Sequence, residues 1–315
     1  MKSVRHSQHR NHQIHTKKLV PIQEEKFKSK ELRLIRLGYI KWQKCMLELI
    51  DEQQLTLEDL DPLDPRFIEL QAVVLENQEK LRKHDILDDY DDERFEKMWA
   101  GLNGYSKKCW QETDIWHMEP SRLPGTKIAY FLPYNHNTPV TVVKISNNTN
   151  AQFHKLLKTR LNKEAEFYEI NSNINTAKRY KNVAKYYFMK IGKNNVPIED
   201  VFTKTIEKTL IDYLFIEDID NEYEIMEALR KDGLLETLGI TVCQINVTYS
   251  RPLSPDDPRK EQFRKHIVRF IREGNYTLLM ASNYASQKVF WVNTHSIECQ
   301  QRYLEKSFSN DVDFV

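Results

Sequence analysis

Glycine is scarce, 8 in 315 residues, about a third of the ~7% usual in globular chains. Loops that cradle phosphate, nucleophile elbows and dinucleotide folds need glycine where backbone meets ligand or takes positive φ. Its scarcity argues against that whole group. Long apolar runs are also missing: none in the sequence nears the ~18 residues of a membrane span. Residues 1–20 lack the apolar core of a secretory signal. Cysteine is limited to Cys45, Cys109, Cys243 and Cys299, with no Cys-x-x-Cys pair. This spacing reads as reduced thiols, and the expected compartment is cytoplasmic or nuclear. Gly-x-Ser-x-Gly, the phosphate-loop motif, His-Glu-x-x-His and paired-cysteine zinc ligands are absent as well. No catalytic residue, metal ligand or cofactor is therefore assigned, and the enzyme reading is disfavoured.

A net charge imbalance is lacking too, since 47 basic residues face 46 acidic ones. The charges are nonetheless strongly blocked. Residues 1–44 and 121–210 are each at +9, 45–120 at −12, 211–258 at −8 and 259–315 at +3. Such blocks either present separate charged surfaces or neutralise one another inside the fold.

Hydrophobic periodicity divides the chain. Leu32, Ile35, Tyr39, Trp42, Met46 and Leu49 step by three and four, a heptad seam on one helix. Phe67, Leu70, Val74, Asn77, Leu81 and His84 repeat the spacing, and a third helix starts near Asp91 with Phe95, Met98, Trp99 and Leu102 inward. The expected organisation is a basic arm at 1–22, a helical domain at 23–118, a mixed domain at 121–306 and a tail at 307–315. In the mixed domain, Lys127–Leu132 and Val140–Ile145 read as an antiparallel strand pair. Helices are expected from Asn150 to Ile170, Ile198 to Tyr213, Glu222 to Leu238 and Ser254 to Glu273. A strand covers Ile240–Tyr249, and Tyr276–Ala281 with Lys288–Asn293 close the domain as a pair. The expected fold class is α+β: an N-terminal helical bundle or hairpin, then a mainly antiparallel sheet flanked by helices.

Two segments suggest chemistry. Between Thr176 and Lys190, Lys178, Arg179, Lys181 and Lys185 interleave with Tyr180, Tyr186 and Tyr187. Cations neutralise phosphate and aromatic faces stack on unpaired bases. The helix Arg259–Arg272 buries Phe263, Ile267, Phe270 and Ile271 and carries Arg264, Lys265, Arg269 and Arg272 on its flank. The bland reading of both is a packed amphipathic element with solvated cations. His6, His9, His12 and His15 recur every third residue, but no acidic or cysteine ligand joins them. Lys144 with Glu164 one helix later lacks every other part of a kinase-like site. Glu164, Glu166 and Glu169, or Glu217, Asp218 and Asp220, read as solvated edges.

The resulting expectation is a non-catalytic, intracellular nucleic-acid-associated protein contacting phosphate through 178–190 and 259–272. Its expected partners are single-stranded nucleic acid or RNA, and no membrane. A protein-interaction module, self-associating through the helical seam, is the alternative. A metal-dependent nuclease or transferase is the third.

Overall fold

The computed structural model describes residues 30–50, 90–111, 113, 120–123, 129–133, 138–147, 151–161, 164–192, 195–217, 219, 221–252, 254, 256–283 and 286–304. In chain order the elements are α1 (Lys30–Ile50), α2 (Tyr90–Gln111), β1 (Ser121–Arg122), β2 (Tyr130–Phe131), β3 (Thr141–Ser146), α3 (Gln152–Lys158) and β4 (Glu166–Asn171). They continue with α4 (Ala177–Tyr180), β5 (Lys185–Phe188), α5 (Ile198–Asp200), β6 (Leu210–Glu217), α6 (Glu222–Leu229) and α7 (Leu234–Thr237). The last are β7 (Thr241–Ser250), α8 (Arg259–Glu273), β8 (Tyr276–Asn283), β9 (Ser286–Asn293) and α9 (Ile297–Tyr303).

Seven strands form one sheet in the order β5-β4-β3-β6-β7-β9-β8. β5, β4, β3, β6 and β7 run parallel, while β9 is antiparallel to β7 and to β8. The expected mainly antiparallel α+β sheet is therefore corrected to a mostly parallel α/β sheet. The proposed 127–132/140–145 hairpin is corrected with it. β2 pairs with the short β1, and β3 lies in mid-sheet between β4 and β6.

The physical reason is burial on both faces. A strand covered on both sides has no polar alternation, so it reads as a continuous apolar run, and such runs resemble buried helix. Leu210–Glu217, buried at seven of eight positions, extends the apolar pattern of the turn before it. The expected helix to Tyr213 in fact stops at Ile206, and a strand follows. The expected helix from Asn150 to Ile170 is likewise a short helix and then β4, buried from Phe167 onward. The expected 222–238 helix is two short ones, α6 and α7. The hairpin β8–β9, the strand β7 and the stop of α8 at Gly274 fall where the sequence puts them. Gly274 takes φ +81°, the left-handed helix stop that glycine adopts without penalty.

One sheet edge is covered. α2 crosses β8, where the Ser106 hydroxyl donates to the Leu278 carbonyl at 2.9 Å. Trp110 Nε1 donates to the same carbonyl at 3.4 Å. Phe95 and Trp99 of α2 meet Phe263 of α8 at ring separations of 6.0 and 4.8 Å. From α1, Gln43 Nε2 donates to the terminal carbonyls of α8, Ile271 and Arg272, at 2.6 and 2.8 Å. Of the heptad seam, Tyr39, Trp42 and Met46 are buried in this core and Leu49 is half-buried. The side chains of Leu32 and Ile35, the 67–84 seam and the His6–His15 array lie outside the described residues.

The expectation of four reduced thiols is also corrected. Cys45 of α1 pairs with Cys109 of α2, and Cys243 of β7 with Cys299 of α9. Sequence spacing of 64 and 56 residues hid both pairs. No helix among the described residues is long and apolar enough to cross a membrane.

Candidate functional site

In an open parallel sheet, ligands bind outside the carboxyl ends of the strands, where the strand order reverses direction. Here that reversal falls between β3 and β6: from β3 the chain steps outward to β4 and β5, then returns to β6 on the other side. A crevice of about 210 Å³ opens there. Ile145, Ser146 and Asn147 line it from the end of β3, and Ile170 and Ser172 from the end of β4. Met189 to Gly192 and Asn195 contribute after β5, and Ile219 and Asn221 after β6. The lining pairs apolar faces with amides, hydroxyls and one cation, Lys190, a composition that suits a small-molecule site.

The walls are tied together by short-range hydrogen bonds. Ser172 Oγ donates to Asn147 Oδ1, bridging β4 to β3. Asn221 Nδ2 donates to the Ile191 carbonyl at 2.9 Å, fixing the loop after β5 against the start of α6. Gly192 takes φ +137° there, and a Cβ on it would sit 3.5 Å from Asn221 Nδ2 and 3.8 Å from Asn195 Nδ2. Any side chain at 192 would strain the backbone at this φ, although the space itself would admit a Cβ.

Below this crevice the sheet carries charge in its interior. Lys144 Nζ lies 3.2 Å from Glu217 Oε2, with 1% and 9% of their side chains exposed. Beside them Glu169 and His154, both fully buried, approach at 3.5 Å (Oε2 to Nε2). Ser146 Oγ and Asn171 Nδ2 donate to the other Glu169 oxygen at 2.8 and 2.9 Å. The Lys144 ammonium also sits 4.9 Å from the Phe153 ring centre. Burial pushes Glu169 up to about 7, against the pull of Lys144 and of its hydrogen-bond donors. Burial, aided by Lys144, lowers His154 to about 3. The carboxyl thus holds a proton near neutrality while the imidazole stays neutral. The reading of Glu169 and Glu217 as solvated edges is corrected: 144, 169 and 217 face one another across adjacent strands.

The basic segments behave otherwise than expected. Tyr180 is fully buried against His154, at a ring separation of 5.4 Å, and is closed to stacking on bases. Tyr186 donates its hydroxyl to the Asn173 carbonyl at 2.6 Å, and half-buried Tyr187 stacks on Tyr168. Lys185 is bound to Glu166 at 2.8 Å, and Glu166 is held down at about 2 by Lys185 and Lys208. Lys178, Arg179 and Lys181 are exposed. On α8, Arg264 and Lys265 both bind Glu261 at 3.1 Å, and Arg269 binds Glu273 at 2.8 Å and Glu227 at 3.4 Å. Arg272 is half-buried where α8 ends, under Gln43. Three cations of the second segment, Arg264, Lys265 and Arg269, are thus ion-paired with acids of this chain.

Sequence reasoning missed Ser146, Asn147, Ser172, Asn195 and Asn221. One signal was present: two apolar stretches each end in a polar amide and hydroxyl, Ile145-Ser146-Asn147 and Ile170-Asn171-Ser172.

No protein-family model matches the chain. No curated protein matches it either. Among solved structures, it is similar to a putative O-methyltransferase from Klebsiella pneumoniae at 12% identity, covering 75% of this chain and 94% of that one, with a TM-score of 0.35. It is similar to a SAM-dependent methyltransferase from Aquifex aeolicus at 11% identity, covering 49% and 82%, with a TM-score of 0.31. It is also similar to the N-terminal domain of human METTL16 in complex with SAH, at 13% identity, covering 88% and 99%, with a TM-score of 0.31. Overlap this slight does not carry the fold, which rests on the strand order of the chain's own sheet. The expectations of a non-catalytic nucleic-acid binder and of an interaction module are corrected on that order: it puts a ligand crevice at β3, β4 and β6, away from α8 and the helical seam.

Proposed function

We propose that this chain is a methyltransferase-type enzyme that takes S-adenosylmethionine in the crevice at the carboxyl ends of β3, β4 and β6. The observation that carries the reading is the coincidence of the crevice with the point where strand order reverses. The wall chemistry fits such a ligand. Ile145, Ile170, Met189, Ile191 and Ile219 offer apolar faces for a flat base, and Asn147, Ser172, Asn195 and Asn221 offer amides and hydroxyls for ribose and base edges. A pyrophosphate fits poorly. The sequence after β3 reads Asn147-Asn148-Thr149-Asn150, without the glycines that let backbone amides approach phosphate. A bound S-adenosylmethionine would supply an electrophilic methyl group. The chain's own residues would bind and orient it, with Asn221 and Gly192 keeping the loop after β5 open to it.

The test is calorimetric titration of the full chain with S-adenosylmethionine, S-adenosylhomocysteine and NAD. The first two should bind at about 10–100 µM, equivalent to roughly 5–7 kcal/mol, and NAD should not. Asn221→Leu should weaken both about tenfold. Absence of binding by either adenosyl ligand at ~1 mM overturns the proposal.

A nucleic-acid strand is the second reading for the methyl acceptor. It is favoured by exposed Lys178, Lys181 and Lys190, with Phe188 at 55% exposure, on the segment that leads into the crevice wall. An RNA acceptor predicts affinity that falls steeply with salt. Binding indifferent to salt removes it.

A further inference from the structure

The buried charges under the crevice exceed what the walls need for support. Lys144 is matched by Glu217 at 3.2 Å, which leaves Glu169 as the unbalanced acid. Glu169 is one hydrogen bond from the ligand space, because its Oε1 accepts the hydroxyl of Ser146, a crevice-lining residue. Its Oε2 lies 3.5 Å from His154 Nε2, beyond a good hydrogen bond, and makes no hydrogen bond among the described residues. The titratable groups facing it are Lys144 from β3, Glu217 from β6, His154 from α3 and Tyr180 from α4. With His154 neutral, the cluster is uncharged when Glu169 holds a proton and singly negative when it does not.

We propose that Glu169 sets the charge of the crevice floor and so makes the site prefer a cationic sulfonium ligand to the neutral thioether that remains after methyl transfer. The inference rests on the proposed function for its choice of ligand. S-adenosylmethionine carries a net positive charge from its sulfonium. S-adenosylhomocysteine, with ammonium and carboxylate only, carries none. A carboxylate one residue layer below the ligand attracts the first and is indifferent to the second. Burial sets its ionisation near pH 7, so the preference grows through neutrality. Product release is favoured by the same step, since losing the methyl group removes the charge that the floor attracts.

The test compares full-length wild type with Glu169→Gln by calorimetry, using both ligands at pH 6 and pH 8. Amines of the ligands titrate alike against both proteins, so the difference between proteins isolates Glu169. At pH 6 the two should discriminate equally. At pH 8 the wild type should favour the sulfonium about fivefold more than Glu169→Gln does, the scale of one charge pair at an intermediate effective dielectric. Equal discrimination at pH 8 overturns the inference. Ligand-free wild type gives a second readout: the backbone amide of Ser146 should show an NMR titration step near 7. If neither ligand binds, the proposed function falls and that step alone decides; its absence overturns the charged floor. If Glu169→Gln fails to fold, the same step decides.

Discussion

In the unfolded chain His154 takes up a proton before Glu169; in the fold Glu169 takes it first. The unfolded values are 6.5 and 4.5, and the folded ones about 3 and about 7. Glu169, raised by folding, adds stability that is full below 4.5 and is lost as pH rises to about 7. His154, lowered by folding, adds stability that is full above 6.5 and is lost as pH falls to about 3. Between 4.5 and 6.5 both states hold one proton, so the pair gives stability no slope there. Breaking the pair should reveal each half. In His154→Gln, stability should fall by about 3 kcal/mol as pH rises through that window. In Glu169→Gln it should fall by a similar amount as pH drops through the same window, from 6.5 to 4.5. Urea unfolding at several pH values reads both, and parallel curves for the two variants would refute the compensation. None of this was legible from sequence, since Lys144, Glu169 and Glu217 look like ordinary surface charges until parallel pairing sets 144 beside 169.

At the scale of elements, what the sequence showed followed solvation. The amphipathic α8 keeps a periodic polar face, and the sequence places it and the hairpin β8–β9 at nearly their true bounds. β3, β4 and β6 are apolar on both faces apart from the buried polar cluster, and the sequence reads β4 and the first half of β6 as helix. Low glycine then misled, because a doubly wound sheet needs glycine only where it must hold phosphate. One polar residue shows how the parallel layer is anchored at its other end. Asp212 opens β6 and accepts from the Thr141 amide at 2.8 Å, from Arg302 at 2.8 Å and from the Tyr303 hydroxyl at 2.7 Å. Asp212→Ala removes all three at once and leaves Arg302 without its buried partner. The expected loss is about 3–5 kcal/mol of unfolding free energy. A thermal midpoint within a degree of wild type would contradict this account of α9.

At the scale of the molecule, the charge blocks meet one another. Glu227 of the acidic 211–258 stretch binds Arg269 of the basic helix, and Asp212 of the same stretch binds Arg302. Glu96 and Arg251 join the acidic 45–120 stretch to the loop before α8. Acids of one stretch thus pair with bases of another, and the reading of the blocks as separate anion-facing surfaces fails at these contacts. The N-terminal helices hold to each other by the Cys45–Cys109 bond, which closes a 64-residue separation. Chain entropy gives such a loop about 4 kcal/mol of stabilisation. Cys45→Ser with Cys109→Ser should lose about that much in urea unfolding, and an unchanged midpoint would show that the closed loop contributes nothing.

The two disulfides also decide how the molecule would bear a mechanical load applied at its ends. Tension would cross from Cys45 to Cys109 and from Cys243 to Cys299 through the sulfur bonds, so residues 46–108 and 244–298 would carry none of it. The stretch between Cys109 and Cys243 would carry all of it, and that stretch holds β3, β4, β5 and β6. Under force, the crevice half would unravel while the hairpin β8–β9 and α8 stayed folded behind their crosslink. The chain is therefore stapled on either side of the crevice layer, and the layer that shapes the crevice is left the most extensible part of the described structure.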